Sequence, residues 1–567
     1  MNPEILNKAK EWLSPFFDKD TRNRIQYLIE NDEKEIVESF YKDLEFGTGG
    51  MRGIMGPGTN RVNKYTIGKA TAGLANYIKD QFTGELAVAI AYDSRNLSDY
   101  FANVAAQVLS AQGIKVYVFK ELRPTPELSF AVRYLKCQAG IVITASHNPK
   151  EYNGYKVYWN DGGQLVPPHD NGVIDKVNAI KRFDDVDFNG DNDLIEFIDE
   201  KVDTPYAEKV LGLVDQNIKR DTNIGVVFTS LHGTGITHIP DLLKKSGFNN
   251  VYVVEEQAKP DGNFPTVESP NPEEQSALHL AIELAKEKNA DLVMGTDPDA
   301  DRIGLAVKDH DGNWVVMNGN QSGSILVKYL LDNTPESEYP TSFVCKTIVT
   351  TGLIDEMANK YKVKCINTLT GFKYIAREIR LLEGKMKFIG GGEESFGYLA
   401  DDFVRDKDAI ISAVLFVQIA AIAKANGLTL LDYLYAIYEE FSVYRERLVS
   451  LTKKGKEGLE EIMAMMESFR NETPTTLAGE KVTRFIDYQS GIVRNLANNT
   501  ENSTGIDLSN VLQFETEKGS LITVRPSGTE PKIKFYFSVN SKVKNNNTEK
   551  TIVNLEQQLD KLEEAFM

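Results

Sequence analysis

Cysteine and histidine are both scarce in this sequence. Its 567 residues include only three cysteines and six histidines. Cys137, Cys345 and Cys365 are too far apart for a C-x-x-C motif, and an odd number does not suit a disulfide framework. The histidines form neither an H-E-x-x-H motif nor the spacing of a zinc site. The pattern therefore favours a protein of a reducing compartment and gives no support to a zinc centre.

The chain also lacks a long apolar run and an excess of positive charge. Its longest apolar stretch, Ile411 to Ala423, contains Gln418 and is too short to span a bilayer. The N-terminal segment MNPEILNKAKEWLSPFFDKD has the pattern of a short amphipathic helix rather than of a signal peptide. A net charge of -18 repels nucleic-acid backbones and anionic membranes. We expect a soluble, cytoplasmic protein that binds neither, although a locally basic pocket could still hold a small phosphorylated ligand.

The length and the order of apolar segments predict several α/β domains. A chain of 567 residues exceeds what one hydrophobic core supports, and three or four domains are expected. After forty helical residues, the glycine-dense segment DLEFGTGGMRGIMGPGTNRVN is predicted to be a loop. Strands and helices then alternate from ELAVAIAYDSR to AGIVITASHNP, which predicts a mostly parallel sheet covered by helices.

The same alternation returns twice, and a different pattern ends the chain. The second round runs from IGVVFTSLHGTG to ADLVMGTDPDADR, and the third from TSFVCKTIV to KFIGGGEESFG. A helical span from Ala409 to Phe441 leads into a smaller α+β region with weak strands, a polar loop NLANNTENSTG and a final amphipathic helix. The predicted domains are three α/β domains and a C-terminal α+β domain, at residues 1–203, 204–317, 318–441 and 442–567.

The first chemically informative loop is TASHNP, residues 144–149. Pro149 disfavours a helical conformation at Asn148, so Ser146 is expected to project from the end of a strand. The loop differs from the G-x-S-x-G elbow of hydrolases, because Thr144 and Asn148 replace its two glycines. An ordinary turn, with Ser146 and Asn148 bonded to nearby backbone, explains the segment equally well.

The second loop, GTDPDADR, places Asp297, Asp299 and Asp301 at alternate positions after an apolar strand. Three neighbouring carboxylates repel one another unless a cation lies among them, and hard oxygen ligands select Mg²⁺, Ca²⁺ or Mn²⁺. An EF-hand is excluded, because Arg302 and Lys308 occupy the positions of its glycine and glutamate. A solvated acidic turn remains the alternative.

Two further loops offer groups for a sugar and for a phosphate. GGGEESFG, residues 390–397, presents Glu393 and Ser395, whose oxygen atoms can exchange hydrogen bonds with sugar hydroxyls. RPSGTEP, residues 525–531, combines an arginine, two hydroxyls and backbone N–H groups, which suits a phosphate dianion. Alone, the first segment is a weak signal, and the second could equally be a tight turn.

The four loops together resemble the α-D-phosphohexomutase family of phosphoglucomutases and phosphomannomutases. SHNPKEYNGYKVYW, GTDPDADRIG, TLTGFKYI, GGEESFGY and RPSGTEPKIKFY carry this resemblance, which covers nearly the whole chain. They look most like the branch of phosphoglucomutases that also includes vertebrate phosphopentomutases. The resemblance implies a heart-shaped protein, with three similar α/β domains and a C-terminal α+β domain around a central cleft.

The resemblance also implies a role for individual residues. Ser146 would carry a phosphoryl group and, with Asp297, Asp299 and Asp301, bind Mg²⁺. The positions that match substrate-binding residues are Arg302, Lys373, Glu393, Ser395, Arg525, Ser527, Gly528 and Thr529. Arg52 and Lys156 match catalytic positions of the N-terminal domain.

The implied reaction interconverts glucose 1-phosphate and glucose 6-phosphate. Phosphoserine 146 would phosphorylate the substrate to glucose 1,6-bisphosphate, which would then return its other phosphoryl group. The general base is open, because SFGY has no histidine where some phosphomannomutase-type relatives have one. Lys156 and Lys407 are candidates if their pKa is lowered, and His147 is a third.

Other functions on the same scaffold remain open. Phosphopentomutase or phosphomannomutase activity would use the same sugar hydroxyl contacts. A non-catalytic sugar-phosphate sensor is a third alternative, although the nucleophile, the carboxylates and the phosphate loop are all present. The sequence indicates no oligomeric state.

Overall fold

The computed structural model of the protein describes residues 2–47, 49–453, 455–527, 532–544 and 547–567. Contacts divide the chain into two compact units, each built from discontinuous segments. The first unit comprises Met1–Asn318, Ala376–Glu383 and Phe396–Thr429. The second comprises Gly319–Ile375, Gly384–Ser395 and Leu430–Met567. The exact bounds of the four domains stay a prediction.

The N-terminal part of the first unit is a sheet covered by helices. Its elements are α1 (Pro3–Glu11), α2 (Lys19–Asn31), α3 (Glu33–Phe40), β1 (Gly50–Ile54), α4 (Lys64–Gln81), β2 (Ala87–Tyr92), α5 (Ser98–Ala111), β3 (Lys115–Phe119), α6 (Thr125–Tyr134), β4 (Ala139–Ile143), β5 (Tyr152–Trp159), α7 (His169–Ala179), β6 (Ile195–Ile198) and α8 (Glu200–Leu211). The strand order is β1-β5-β4-β2-β3-β6. Strands β4, β2, β3 and β6 are parallel, whereas β5 and β1 add antiparallel pairs. The C-terminal ends of β2 and β4 therefore lie side by side.

The glycine-dense segment before α4 contains a strand, so its prediction as a loop was wrong. β1 pairs antiparallel with β5, and Gly50 lies opposite Lys156. Gly50 has a φ of 129°, and a Cβ there would be 1.8 Å from the carbonyl oxygen of Tyr155. Only glycine allows this approach. Pairing with β5 outweighs the low strand propensity of the segment.

The second sheet of the first unit carries the acidic loop. Its elements are β7 (Val226–Thr229), α9 (Ile239–Lys245), β8 (Val251–Val253), α10 (Glu255–Ala258), α11 (His279–Lys288), β9 (Leu292–Thr296), β10 (Ile303–Lys308) and β11 (Trp314–Met317). The strand order is β11-β10-β9-β7-β8, and β7 is parallel to β8 and β9. The segments that follow β7 and β9 therefore leave the sheet at the same end of the strands. The segment after β9 then turns back into β10.

The third region repeats the alternation of strands and helices. Its elements are α12 (Gly319–Asp332), β12 (Ser342–Thr347), α13 (Leu353–Tyr361), β13 (Lys364–Thr368), α14 (Phe372–Leu382), β14 (Lys387–Glu393), β15 (Gly397–Ala400), α15 (Ala409–Ala425) and α16 (Leu430–Glu440). In the second unit β12 is parallel to both β13 and β14. The helical span predicted from Ala409 to Phe441 is interrupted between α15 and α16, where Gly427 has a φ of 75°.

Helix α15 contains the longest apolar run of the chain and is buried along most of its length. A helix that is apolar on all sides is expected inside a protein core. Among the described residues, no single helix has the length and apolar composition needed to cross a membrane. α15 and α16 meet those two criteria only when taken together as a bent pair.

The C-terminal part of the second unit is an antiparallel sheet flanked by helices. Its elements are β16 (Val443–Thr452), α17 (Gly455–Asn471), β17 (Thr476–Leu477), β18 (Glu480–Asp487), β19 (Ile492–Asn495), β20 (Thr500–Ser503), β21 (Leu512–Thr516), β22 (Leu521–Pro526), β23 (Lys532–Ser541) and α18 (Thr548–Phe566). The main strand order is β16-β23-β22-β21-β18-β19-β20. The polar segment NLANNTENSTG is not entirely a loop as predicted, because β20 lies within it and pairs with β19. This exposed hairpin needs no apolar side chains for its backbone ladder.

Candidate active site

Ser146 lies on the turn that follows β4. Its backbone φ is 52°, in the left-handed region that non-glycine residues seldom adopt, and the residue is 4% exposed. Its N–H donates to the Thr144 hydroxyl at 2.8 Å, and the N–H of Asn148 donates to the carbonyl of Ala145. Two backbone N–H groups of the TASHNP segment are thus bonded within the segment, and Ser146 has an unusual conformation.

The Ser146 hydroxyl meets the acidic loop. Its Oγ donates to Asp297 Oδ2 at 2.7 Å, and it lies 3.2 Å from His147 Nδ1. The structure therefore brings together two predicted segments that are about 150 residues apart in the chain.

The three aspartates lie between β9 and β10 and are almost completely buried. One carboxylate oxygen from each lies within 4.8 Å of the others. Asp299 Oδ1 and Asp301 Oδ1 are buried and have no hydrogen-bond partner among the described residues. Buried carboxylate oxygens without donors are costly, and three neighbouring carboxylates that include two such oxygens fit a hard divalent cation. These residues can therefore hold a metal ion.

Two lysines neutralise part of this negative charge. Lys156, on β5, donates to Asp299 Oδ2 at 2.7 Å and to Asp301 Oδ2 at 3.0 Å. Lys407 Nζ lies 2.9 Å from Asp301 Oδ2. Burial lowers the pKa of Lys156, but Asp299 and Asp301 outweigh it and raise the pKa above its ordinary value. In this arrangement Lys156 is a cation, and its use as a base requires another partner for the two carboxylates.

The carboxyl groups of the acidic loop differ in their proton affinity. Burial raises the pKa of Asp297 well above its ordinary value, and Asp301 and Asp299 raise it further. Burial also acts to raise the pKa of Asp301, but Lys156, Lys407 and Arg302 outweigh it and lower that pKa. The two lysines and Arg302 therefore favour the charged form of Asp301, whereas burial and the neighbouring carboxylates disfavour the charged form of Asp297.

The other predicted site residues of the first unit are Arg52 and His147, assigned to catalysis, and Arg302, assigned to substrate binding. Arg52 lies on β1 and donates to Asn148 Oδ1 at 2.8 Å. Arg302 donates to Glu273 Oε1 at 2.5 Å. Burial, followed by Arg302 and Arg52, lowers the pKa of His147 to about 2. A neutral imidazole with such a low pKa is a poor general base, and the identity of the base stays a prediction.

Arg95 was not predicted from the sequence as a site residue, and it supports the serine turn. This buried residue follows β2 and donates to the carbonyl groups of Ser146 at 2.5 Å, Pro149 at 2.9 Å and Tyr152 at 3.1 Å, and also to that of Asn148. The available signal was its place in YDSR, directly after an apolar strand. Only the neighbouring positions of β2 and β4 show what it contacts.

The sugar-loop residues belong to the second unit. Glu393 ends β14 and is 6% exposed, and its Oε1 accepts a hydrogen bond from the N–H of Gly371 at 2.9 Å. Ser395 is half-buried two residues later. Glu394, which the sequence analysis did not assign, accepts from the hydroxyls of Thr347 at 3.0 Å and Thr350 at 3.2 Å. These hydrogen bonds fix the Glu394 carboxylate next to Glu393 and Ser395, the two residues predicted to bind the sugar.

The described phosphate-loop residues lie at the end of β22 and directly after it, in the second unit. Arg525 lies beside Tyr536, whose pKa is raised to about 12 by burial and by Glu394. The N–H of Ser527 donates to the carbonyl of Lys532 at 2.7 Å. The predicted residues Gly528 and Thr529 lie outside the described residues. Lys373, near the start of α14, places its ammonium 5.1 Å from the centre of the Tyr374 ring.

Comparisons with known proteins identify the family of the four domains. Models of the phosphoglucomutase/phosphomannomutase α/β/α domains I, II and III match residues 43–183, 204–312 and 318–441, and the model of the C-terminal domain matches residues 486–555. A phosphoglucomutase of Staphylococcus haemolyticus is 42% identical over 508 residues, which are 89% of this chain and 91% of that protein. A phosphoglucomutase of Staphylococcus aureus is 41% identical over 516 residues, which are 90% and 92% of the two chains.

A solved structure shares the fold. The crystal structure of a phosphoglucomutase/phosphomannomutase family protein from Burkholderia thailandensis matches with a TM-score of 0.66 at 18% identity, and covers 92% of this chain and 96% of that one. The four-domain architecture implied by the sequence is confirmed by the four matched domains. The chain therefore belongs to the phosphoglucomutase/phosphomannomutase family.

Proposed function

We propose that this protein is a cytoplasmic phosphoglucomutase that interconverts glucose 1-phosphate and glucose 6-phosphate. The observation that carries the proposal is the contact of the Ser146 hydroxyl with Asp297 in the buried acidic loop. Phosphoglucomutases that are 41% to 42% identical over about nine-tenths of the chain support this reaction.

In the proposed reaction Ser146 Oγ carries the transferred phosphoryl group. The bond between Oγ and phosphorus breaks as the free hydroxyl of the sugar phosphate forms its own bond to phosphorus. The resulting glucose 1,6-bisphosphate then donates its other phosphoryl group to Ser146 Oγ, which restores the phosphoserine. Such a transfer depends on alignment and charge neutralisation, and the fixed serine turn provides the alignment.

The basic residues near Ser146 have two tasks. Lys156, Lys407 and Arg302 neutralise negative charge that develops on the phosphoryl oxygens. The proton of the attacking hydroxyl must pass to a base, for which Lys156 Nζ and Lys407 Nζ are the candidates. Either nitrogen accepts a proton only after it has lost its own. For Lys156, the carboxylates of Asp299 and Asp301 oppose that loss in the present arrangement.

Mg²⁺ is the proposed metal ion. Asp297, Asp299 and Asp301 would hold it together with an oxygen atom on Ser146. When bound, it supplies Lewis-acid stabilisation of the charge on the phosphoryl group. The two buried oxygens of Asp299 and Asp301 that lack donors are the observation that supports this ligand set.

The second unit would recognise the substrate. Glu393 and Ser395 are proposed to bind sugar hydroxyls, whereas Arg525, Ser527, Gly528 and Thr529 are proposed to bind the phosphate that does not react. Lys373 is proposed to add a positive charge to the substrate site. Arginine suits the second task because its planar guanidinium can bind two phosphate oxygens at once.

The proposed function is tested by comparing substrates. The purified protein with Mg²⁺ and a trace of glucose 1,6-bisphosphate is expected to convert glucose 1-phosphate faster than mannose 1-phosphate or ribose 1-phosphate. A Ser146→Ala variant is expected to be folded and to lose at least about a thousandfold in kcat, because the nucleophile is missing. Intact-protein mass spectrometry should find a phosphate on wild type and none on the variant.

Other results would contradict parts of the proposal. Faster turnover of mannose 1-phosphate or ribose 1-phosphate would assign a phosphomannomutase or phosphopentomutase. No turnover of any of the three would favour a sugar-phosphate sensor. Activity of Ser146→Ala close to that of wild type would refute the role of Ser146.

A further inference from the structure

Thr125 contacts Asp299, the middle aspartate of the acidic loop. It is the first residue of α6 and is fully buried. Its hydroxyl donates to Asp299 Oδ2 at 2.8 Å, and its backbone N–H donates to the Asp299 carbonyl at 2.9 Å. One residue thus binds both the side chain and the main chain of Asp299.

This contact determines which oxygen of Asp299 remains for a metal ion. Oδ2 accepts hydrogen bonds from Thr125 and from Lys156 Nζ, whereas the buried Oδ1 has no hydrogen-bond partner among the described residues. The two donors therefore fix the rotation of the carboxylate and leave Oδ1 unpaired. Groups that orient a metal ligand in this way commonly change metal affinity when they are mutated.

A second set of contacts holds α6 against the segment that follows β7. Glu127, also on α6, is bonded to His238 through an Oε2–Nε2 distance of 2.8 Å. In the same segment, the N–H of Thr234 donates to the carbonyl of Pro298 at 2.7 Å. A Cβ on Gly233 would lie 2.4 Å from the Cα of Pro298, so only glycine permits this approach. Two elements therefore hold the acidic loop. The segment after β7 contacts it at Pro298, α6 contacts it at Asp299, and the two elements are bonded to each other through Glu127 and His238.

The Glu127 cluster itself is better explained as an anchor than as a metal site. Ligand atoms of Glu127, Asp203 and His238 lie within 4.8 Å of one another. However, the Arg123 guanidinium makes two hydrogen bonds to Asp203, at 3.0 Å and 2.8 Å. A fixed cation already binds both carboxylate oxygens of Asp203 and lies 3.9 Å from Glu127, so we interpret the cluster as an anchor of α6.

We propose that Thr125 is a positioning residue that orients Asp299 for metal binding. This inference rests on the metal site of the proposed function. It concerns the strength of metal binding rather than the transfer of the phosphoryl group, because the Thr125 hydroxyl contacts the Asp299 carboxylate at Oδ2 and leaves Oδ1 for the metal ion.

The test measures binding of Mn²⁺ to the full-length protein without substrate, by the loss of the electron paramagnetic resonance signal of free Mn²⁺. Thr125→Val keeps the shape of the side chain and removes the hydroxyl, and it is expected to weaken binding about tenfold. Thr125→Ser keeps the hydroxyl and is expected to bind within about twofold of wild type. Saturating metal should restore most of the kcat of Thr125→Val.

Thr548→Val is the matched control. Thr548 is the first residue of α18, and its hydroxyl donates to Glu439 Oε1 at 3.3 Å in the second unit. This variant is expected to bind Mn²⁺ like wild type. Equal binding by folded Thr125→Val and wild type would overturn the proposal. Failure of Thr125→Val to fold would also overturn it, because Thr125 would then serve stability. A wild-type protein that binds no Mn²⁺ would refute the metal site on which the proposal rests.

Discussion

At the scale of single residues, the serine turn depends on a buried arginine that has no place in the chemistry. Arg95 binds four backbone carbonyl groups around Ser146, and Asp93 balances its charge at 3.4 Å. The fork of a guanidinium can serve several acceptors in a plane, which a single ammonium cannot. The strained φ of Ser146 is maintained by this set of bonds.

Arg95→Lys is therefore expected to damage activity beyond its effect on stability. The lysine keeps the charge but leaves carbonyl groups of the turn unpaired, so we expect a loss of about 1–3 kcal/mol in the free energy of unfolding. Displacement of Ser146 should lower kcat about a hundredfold. Denaturant unfolding and steady-state kinetics with glucose 1-phosphate measure the two effects.

Arg61→Lys provides the matched control for this prediction. Arg61 is also buried and donates to the carbonyl groups of Glu38 and Asn60, away from the serine turn. This variant should lose a similar free energy of unfolding and keep its kcat. A kcat of Arg95→Lys within threefold of wild type would contradict the role given to Arg95.

At the scale of elements, the sequence predicted the strands that are apolar and the loops that follow them. The segments before Ser146 and Asp297 were predicted correctly because a continuous apolar run that ends in a polar turn is a local signal. β1 was missed because its glycines argue locally against a strand, and its partner β5 lies about 100 residues away. The contacts of Arg95 and Thr125 could not be predicted either, because they depend on which elements are neighbours.

Because β1, β5 and β4 approach closely at Gly154, replacing this glycine by alanine is expected to destabilise the protein. A Cβ at this position would lie 2.5 Å from the carbonyl oxygen of Thr144 and 2.8 Å from that of Met51. Gly154→Ala is expected to cost about 1–3 kcal/mol in the free energy of unfolding, as overpacking does. It should also lower kcat, because Thr144 supports the serine turn. Urea unfolding and activity assays check both expectations.

Gly49→Ala is the control that distinguishes steric overlap from a general effect of replacing glycine by alanine. At Gly49 a Cβ would lie 3.4 Å from Gln164 Oε1, which is an ordinary contact. Gly49→Ala is therefore expected to change the free energy of unfolding by no more than about 0.5 kcal/mol. If Gly154→Ala were as stable as Gly49→Ala, Gly154 would have to lie farther from the carbonyl oxygens of Thr144 and Met51 than these distances allow.

At the scale of the whole molecule, the four domains that follow one another along the sequence do not coincide with the two compact units of the structure. The second unit combines residues 319–375 and 384–395 with residues 430–567. A cluster of buried apolar side chains joins these parts, and its members are Ile348, Val349, Leu369, Ile486, Tyr488, Val511 and Tyr536. Gln513 adds a buried hydrogen bond of 2.9 Å to the carbonyl of Ile348. Sequence patterns locate domains by position along the chain and do not reveal such shared cores.

The shared core predicts that the C-terminal region cannot be removed without loss of structure. A chain of residues 1–441 would expose Ile348, Val349 and Leu369 to water, at a cost of about 25 cal/mol for each Å² of apolar surface. We expect it to bind the dye ANS, to aggregate in size-exclusion chromatography and to melt without a sharp transition. Co-expression with residues 442–567 should restore a soluble, cooperatively melting protein. A monomeric 1–441 chain that melts cooperatively and binds no ANS would contradict the shared core, because its apolar residues would then be covered without their C-terminal partners.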